Sequence, residues 1–206
     1  MTTTAIPKGN TYDKYASTNP VEARLMGGFF DCLGKLLPSE EPTTILEVGL
    51  GEGEISERVR ERFPTAQLVG IDLPDAQLAE AWHEKKLNGA FADIVRLPFA
   101  DRSFDLVMAI EVLEHVPHPS AALREIARVA RDDVVLSVPR EPIWRIANLA
   151  RGKYIRDLGN TPGHIQHWSR RAFTALVEEH FDTVAVRTPL PWTFVRAHAR
   201  TSGTSV

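Results

Sequence analysis

Three glycines on alternate residues, Gly49, Gly51 and Gly53, follow an apolar run and precede a helical pattern. The run at 44–48 predicts a buried strand. Glycine lets the chain turn tightly and leaves bare peptide groups beside a helix N-terminus, where a ligand can lie against the backbone. A dinucleotide-binding fingerprint would need a further glycine at position 54, where this chain has Glu54. The loop therefore predicts a ligand site, and its spacing argues against an NAD-dependent oxidoreductase.

Strands and helices alternate through most of the chain, which predicts an α/β fold with a parallel sheet covered on both faces. Two short apolar segments near the end, 184–187 and 193–196, predict a closing antiparallel hairpin. The other predicted strands are 44–48, 67–72, 89–92, 104–110 and 134–138, and the predicted helices are 20–37, 53–62, 74–86, 118–130 and 169–180.

Residues 140–167 break this alternation with a long basic and aromatic segment, predicted to be a loop. Loops of this length are uncommon unless they have a function. Residues 140–206 carry ten Lys or Arg against five Asp or Glu, although the whole chain has a net charge of −3. This asymmetry indicates either a site for an anionic substrate or a solvated basic face.

The composition is that of one domain, or of one domain with a small appendage. Cys32 is the only cysteine, so an intrachain disulfide is excluded and a reducing, cytoplasmic setting is expected. The chain has neither a secretion signal pattern at its start nor an apolar run long enough to span a membrane. Its net charge of −3 argues against a general nucleic-acid binder.

The motif Glu-x-Gly-x-Gly-x-Gly at 47–53 resembles the first motif of the class I S-adenosylmethionine (SAM) methyltransferases. Asp72, which lies 23 residues after Gly49 at the end of the second predicted strand, fits the same family. The segments 91–99 and 103–107 also fit this family. The resemblance covers about residues 44–140 and is to the small-molecule type, including the ubiquinone-biosynthesis enzymes. It implies a Rossmann-like, seven-stranded, mostly parallel sheet with helices on both faces and a C-terminal antiparallel hairpin.

The resemblance also implies SAM as the cofactor. Asp72 would accept hydrogen bonds from the ribose hydroxyls, although it could instead cap the helix at Pro74. Asp93 and Ile94 would meet the adenine, and Glu47 would lie near the sulfonium. The full predicted cofactor set is Tyr15, Glu47, Gly49, Gly51, Gly53, Asp72, Leu73, Asp93, Ile94, Ile110, Glu111 and His115.

The N-terminal segment at 10–20 resembles the lead-in of bacterial small-molecule methyltransferases, where it folds over the cofactor. We therefore expect a lid and helix over 1–40 and a methyltransferase domain over 41–200, with a substrate-side insert at 140–167. Tyr15 would either touch the methionine end of SAM or anchor the first helix.

Methyl transfer from a sulfonium is a direct displacement, so the protein mainly aligns the reactants, and alignment can supply about 7–11 kcal/mol. A base is needed only when the acceptor is protonated. His115, His164 and His167 are the predicted catalytic residues. His115 follows the fourth predicted strand, at the sheet edge where ligands bind; alternatively, it packs the turn before Pro117.

Glu111, Glu114, His115 and His164 also resemble the metal ligands of the small-RNA 3′-terminal 2′-O-methyltransferases. The same features occur in small-molecule methyltransferases that need no metal. We therefore expect methyl transfer to a small, anionic acceptor, with no bound metal. The alternatives are a metal-assisted RNA 2′-O-methyltransferase and a non-catalytic SAM-binding module. The acceptor atom stays open, as does the choice between monomer and homodimer.

Overall fold

A seven-stranded sheet organises the computed structural model, which describes residues 19–200. The strands are β1 (Thr44–Val48), β2 (Gln67–Asp72), β3 (Gly89–Phe91), β4 (Phe104–Ile110), β5 (Ala130–Pro139), β6 (Phe181–Arg187) and β7 (Trp192–Ala199). They lie in the order β3-β2-β1-β4-β5-β7-β6. The first five pair in parallel, and β7 is antiparallel to both β5 and β6. The predicted mostly parallel sheet and its antiparallel close are confirmed.

Helices flank this sheet, and capping residues mark where some of them begin. They are α1 (Pro20–Leu36), α2 (Glu54–Arg62), α3 (Ala76–Glu84), α4 (Pro119–Val129), α5 (Ile143–Ala150) and α6 (Arg170–Glu178), with 3-10 turns at Leu113–His115 and Ile155–Asp157. Asn19 caps α1 and Ser169 caps α6, each accepting a backbone N–H of the first turn. Within residues 19–200, none of the helices combines the length and apolarity that crossing a membrane requires.

Apolar side chains fill both faces of the sheet. One core joins α1 and α2 to the sheet and includes Phe29 and Phe194; the other joins α4 and α6 to it and includes Phe173. Phe29 packs edge-on against Trp192 and Phe194, with ring centroids 4.8 and 4.9 Å apart. Such pairs add about 0.5–1.5 kcal/mol each beyond the area they bury. The first helix is thus packed into the core beside the last strand.

Several boundaries differ from the predicted ones. Strand β6 begins at Phe181 rather than at 184, and β7 ends at Ala199 rather than at 196. Helix α3 begins at Ala76 rather than at 74, because the Asp75 side chain accepts the Gln77 N–H and caps it there. Strand β5 begins at Ala130, opposite Phe104 of β4, rather than at 134. Asp133 lies opposite His198 of β7, and Arg196 pairs with its carboxylate at 2.8 Å, so this charge is paired within the sheet. The predicted loop at 140–167 is wrong in part, because it contains α5 and the 3-10 turn at Ile155–Asp157.

Candidate active site at the carboxyl ends of the strands

The middle of the sheet is a topological switch point. Strands β1 and β4 are neighbours, and the chain leaves β1 toward β2 but leaves β4 toward β5. In open α/β sheets, the crevice outside the carboxyl ends of such strands is where ligands bind. The predicted cofactor residues other than Tyr15 lie near the carboxyl ends of β1, β2 and β4 or in the loops after β1 to β4, so the topology brings them to one edge of the sheet.

The glycine loop after β1 has two kinds of glycine. All three residues have positive φ angles: +79° at Gly49, +51° at Gly51 and +86° at Gly53. A Cβ atom on Gly49 would lie 2.2 Å from Val112, and one on Gly53 would lie 2.1 Å from Leu87. A Cβ atom on Gly51 would have no atom of residues 19–200 within 4 Å. Gly51 therefore borders an open cradle that a side chain would fill, which fits a nucleoside lying against the backbone.

Asp72, at the end of β2, fixes this loop. Its Oδ2 accepts the Gly51 N–H at 2.8 Å and its Oδ1 accepts the Leu73 N–H at 2.7 Å. On the other side, the Trp82 indole N–H donates to the Gly51 carbonyl oxygen at 2.7 Å. Because Asp75 caps α3, the alternative role of Asp72 as that cap is wrong. A carboxylate has about four acceptor positions, so Asp72 still has room for two ribose hydroxyls.

The predicted adenine residues follow β2 and β3. Leu73 is 39% exposed, although it is apolar. Asp93 is exposed and accepts the Val95 N–H at 3.1 Å, which shapes a tight turn. Ile94 is half-buried and packs against the core. An exposed acid and two apolar side chains in these loops suit an adenine ring, which presents an amino group and two flat faces.

Glu47 lies within β1 and is 1% exposed. The Ser56 hydroxyl of α2 donates a hydrogen bond to its carboxylate. Burial raises the pKa of Glu47 to about 8; the Ser56 bond opposes this rise and the nearby charge of Asp72 adds to it. Without ligand, Glu47 is therefore largely protonated at neutral pH. A cation brought close to it would favour the ionised form.

Glu111 follows β4 with a φ of +59°, a strained conformation for a residue other than glycine. Its Oε1 accepts the Ser137 hydroxyl at 3.1 Å and its Oε2 accepts the Trp192 indole N–H at 2.8 Å. Ile110, just before it, is 7% exposed. The sequence did not predict a role for Trp192. The sequence feature that could have indicated such a role is a tryptophan directly after Pro191, at the start of the last strand.

Two of the three predicted catalytic histidines come together. The rings of His115 and His164 meet edge to face, with centroids 4.9 Å apart. His167 lies elsewhere, with its Nδ1 3.7 Å from Glu141 Oε1. Burial lowers the pKa of His167, and the charge of Arg145 lowers it further against the opposing effect of Glu141.

The carboxylate of Glu114 lies close to His115 and His164, whereas Glu111 is not part of this cluster. One ligand atom each from Glu114, His115 and His164 lies within 4.8 Å of the other two. The carboxylate of Glu111 is instead held by Ser137 and Trp192. The four-residue set suggested by the resemblance to RNA methyltransferases is therefore reduced to three in this structure.

A cleft of about 590 Å³, measured out to its open mouth, lies between α1 and the insert. Trp144 and Trp192 are among its apolar walls. Arg151 and Lys153 both line it, and both pair with Glu22 of α1, at 3.3 and 3.2 Å. The described residues that line it are Glu22, Leu25, Met26, Trp144, Asn148, Arg151, Lys153, Tyr154, Thr161, Pro191 and Trp192. The cleft is therefore mostly apolar, with one acid offsetting part of its basic charge.

Buried polar contacts hold the insert in shape. The Trp144 indole N–H donates to Thr161 Oγ1 at 2.9 Å, and Asn148 Nδ2 donates to the Gly159 carbonyl oxygen at 2.8 Å. Asn148 is 1% exposed. The insert is thus an ordered wall of the cleft. Tyr15 and the rest of the predicted lid before residue 19 lie outside the described residues.

Comparison with known proteins places the chain in a family. Residues 46–138 match the family model described as "Methyltransferase domain". The O-methyltransferase rstn1 of Aspergillus nomiae is 30% identical over 161 residues, which are 66% of this chain and 71% of that protein. The ubiquinone biosynthesis O-methyltransferase of Hahella chejuensis is 37% identical over 135 residues, which are 61% of this chain and 55% of that protein.

The chain spans about half the length of several curated relatives that it matches. In fold, it is similar to a SAM-dependent methyltransferase from Aquifex aeolicus, with a TM-score of 0.67 and 17% identity over 88% of this chain and 94% of that one. The strand order, the open glycine loop and these similarities agree. The chain belongs to the class I methyltransferases, the family whose cofactor is S-adenosylmethionine.

Proposed function

We propose that this chain transfers a methyl group from SAM to a small acceptor by direct displacement. The observation that carries the proposal is the cradle at Gly51, where a Cβ atom would meet no described part of the chain within 4 Å. Asp72 holds that loop through the Gly51 N–H. SAM supplies a methyl group already activated on a sulfonium. The protein's part is to orient the reactants, exclude water and hold the acceptor.

The cofactor would lie along the loops after β1 to β4. Asp72 would bind the ribose, and Asp93, Ile94 and Leu73 would surround the adenine. Glu47 and Glu111 would lie on the cationic methionine side, where a carboxylate stabilises a positive ligand. These assignments rest on the position of each residue at the carboxyl edge of the sheet.

The acceptor would enter the cleft between α1 and the insert. Trp192 lines this cleft and donates a hydrogen bond to Glu111, so the cleft adjoins the proposed methionine side. The aromatic walls favour a flat, apolar body. Among the described residues of the cleft lining, the basic residues Arg151 and Lys153 outnumber the acid Glu22, with which both pair. We infer an acceptor with one anionic group rather than a polyanion such as RNA.

His115 and His164 would border the acceptor, since His164 stacks on Trp144 of the cleft wall, with centroids 5.8 Å apart. His167 would act at most indirectly, because it faces Glu141. Neither the RNA 2′-O-methyltransferase nor the non-catalytic module finds support in the two relatives described above, which are O-methyltransferases by name.

A cytoplasmic location and a homodimer are further parts of the proposal. The support for the location is the single cysteine, which fits a reducing compartment. The support for the homodimer is a set of exposed apolar side chains on the insert: Ile146, Ile155 and Leu158. Sedimentation velocity tests the homodimer, and a single monomer peak at high protein concentration would refute it.

Calorimetry tests the cofactor, and isotope transfer tests the reaction. S-adenosylhomocysteine should bind one-to-one and NAD should give no heat; equal binding of both would refute the proposal.

With methyl-labelled SAM, hydroxy-aromatic acids should accept more label than their neutral methyl esters. Arg151→Gln and Lys153→Gln should raise KM for the acids. Arg156→Gln, outside the cleft lining, is the matched control.

A further inference from the structure

The buried carboxylate of Glu114 faces two imidazoles at the edge of the cleft. Nε2 of His115 is 4.0 Å from Oε1 of Glu114. Glu114 is 1% exposed and His164 is 6% exposed. Each of these residues and His115 offers one ligand atom, and the three atoms lie within 4.8 Å of one another. Three common metal-ligand groups are thus gathered in a space with little solvent.

The hydrogen bond of His115 decides which of its nitrogens carries the proton. Its Nδ1 lies 2.9 Å from the Gly163 carbonyl oxygen, and because a carbonyl oxygen only accepts, Nδ1 carries the ring proton. The neutral ring then has its lone pair on Nε2, on the side of Glu114. Metal-binding histidines show the same pattern, in which the other nitrogen donates to a carbonyl or carboxylate.

Backbone contacts bring the two segments together. The carbonyl oxygen of Glu114 accepts the N–H groups of Ile165 and Gln166, at 2.9 and 3.0 Å. Gly163 has a φ of +88°, a conformation that glycine adopts readily, and it presents its carbonyl to His115. The three side chains are therefore held by a rigid frame, as a binding site requires.

We propose that Glu114, His115 and His164 bind a divalent first-row transition ion, with Zn²⁺ the best match. Two imidazole nitrogens and one carboxylate oxygen form a known ligand set for zinc sites that keep a position open. Mg²⁺ and Ca²⁺ prefer oxygen ligands throughout. Ligand atoms around tetrahedral zinc lie about 3.3–3.6 Å apart for bonds of about 2.0–2.2 Å. The side chains therefore rotate inward when the ion binds.

A shared proton is the competing occupant of this site. That proton would lie on the side where Nε2 of His115 approaches Oε1 of Glu114, which is where we propose the ion. The metal proposal does not depend on methyl transfer. It stands or falls on whether the ion binds to these three side chains.

The test uses the full chain, stripped of metal with a chelator and then dialysed. Zn²⁺ is titrated by calorimetry and Co²⁺ by visible absorption, and one equivalent of each should bind with saturation. Glu114→Gln and His164→Gln should weaken binding by at least about tenfold. The matched control is His118→Gln, which removes an exposed imidazole three residues from His115 and should bind as the wild type does. Mg²⁺ should not compete.

Two results would overturn the proposal: no saturable binding to the stripped wild type, or equal binding by the variants and the control. S-adenosylhomocysteine binding by each variant reports whether it is folded. If Glu114→Gln does not fold, imidazole NMR of the wild type decides, since Zn²⁺ must shift the His115 and His164 signals and leave His118 unchanged. A chain that binds S-adenosylhomocysteine but no Zn²⁺ refutes the metal site alone.

Discussion

Trp192 donates its indole N–H to Oε2 of Glu111 at 2.8 Å. Trp192 begins β7 and lines the cleft, whereas Glu111 follows β4 at the switch point of the sheet. One hydrogen bond thus joins the wall of the proposed acceptor cleft to a carboxylate of the proposed cofactor side. A change on either side of this bond should affect the other.

Trp192→Phe removes this donor and keeps an aromatic ring against Phe29. A hydrogen bond to a charged group contributes about 1.5–3 kcal/mol, so affinity for SAM should fall about ten- to hundredfold, measured by calorimetry. Trp168→Phe is the control, because that indole packs against Phe173 on the opposite face of the sheet. Wild-type affinity in Trp192→Phe would show that the bond from Trp192 to Glu111 does not support cofactor binding.

Gly51→Ala should separate loss of the cofactor from loss of stability. The added methyl group enters the proposed cradle, so S-adenosylhomocysteine should bind at least about tenfold more weakly. Gly152→Ala is a close control, since Gly152 also has a positive φ, +68°, and open space where its Cβ atom would lie. Both variants should lose about 1–2 kcal/mol of stability from the left-handed backbone. Equal ligand binding by the two would remove the cradle from the site.

Asp72→Ala should loosen the glycine loop, because the N–H groups of Gly51 and Leu73 lose their acceptor. We expect S-adenosylhomocysteine affinity to fall by at least about tenfold in calorimetry. Asp75→Ala removes the α3 cap and should cost about 1 kcal/mol in thermal unfolding without changing affinity. If the two variants bind alike, the nucleoside lies elsewhere.

The buried Glu47 should make stability depend on pH. Its pKa is about 8 in the folded protein, raised from 4.5. Between these values the folded chain keeps the proton and the unfolded chain releases it, so the free energy of unfolding falls as pH rises. The isosteric variant Glu47→Gln should lose that part of the slope, measured by urea unfolding across this range. An unchanged slope would place the titration on another group.

The same residue should couple SAM binding to proton release. A cationic ligand near Glu47 favours the ionised carboxylate, so affinity for SAM should rise with pH and level off above about 8. Calorimetry in buffers of different ionisation enthalpy measures the released proton directly. Glu47→Gln should release fewer protons; if it releases as many, then Glu47 is not the group that the ligand ionises.

The sequence predicted the sheet well, because the strands that carry the site are apolar and buried and the glycines mark the first turn. It predicted the positions of Asp72, Glu111 and His115 at strand ends for the same reason. The α5 helix was missed because its inward face includes Asn148, a buried polar residue that interrupts the apolar period.

Contacts between segments that are far apart along the chain could not be predicted from the sequence. The pairing of Trp192 with Glu111 spans 81 residues, and the approach of His164 to Glu114 depends on backbone hydrogen bonds that any residue types could make. The pairing of Glu22 with the basic side chains of the insert could not be predicted either, since Glu22 lies far from Arg151 along the chain. Such relationships arise only once the strands have taken their order.

The two N–H groups that bond to the Glu114 carbonyl oxygen belong to the backbone of residues 165 and 166. Because no side chain takes part, substitution at Ile165, which is 47% exposed, leaves this anchor in place. The segment beside the cleft can therefore accept new side chains during evolution or design while its path stays fixed. A methyltransferase built in this way can change its acceptor preference without any change in its fold.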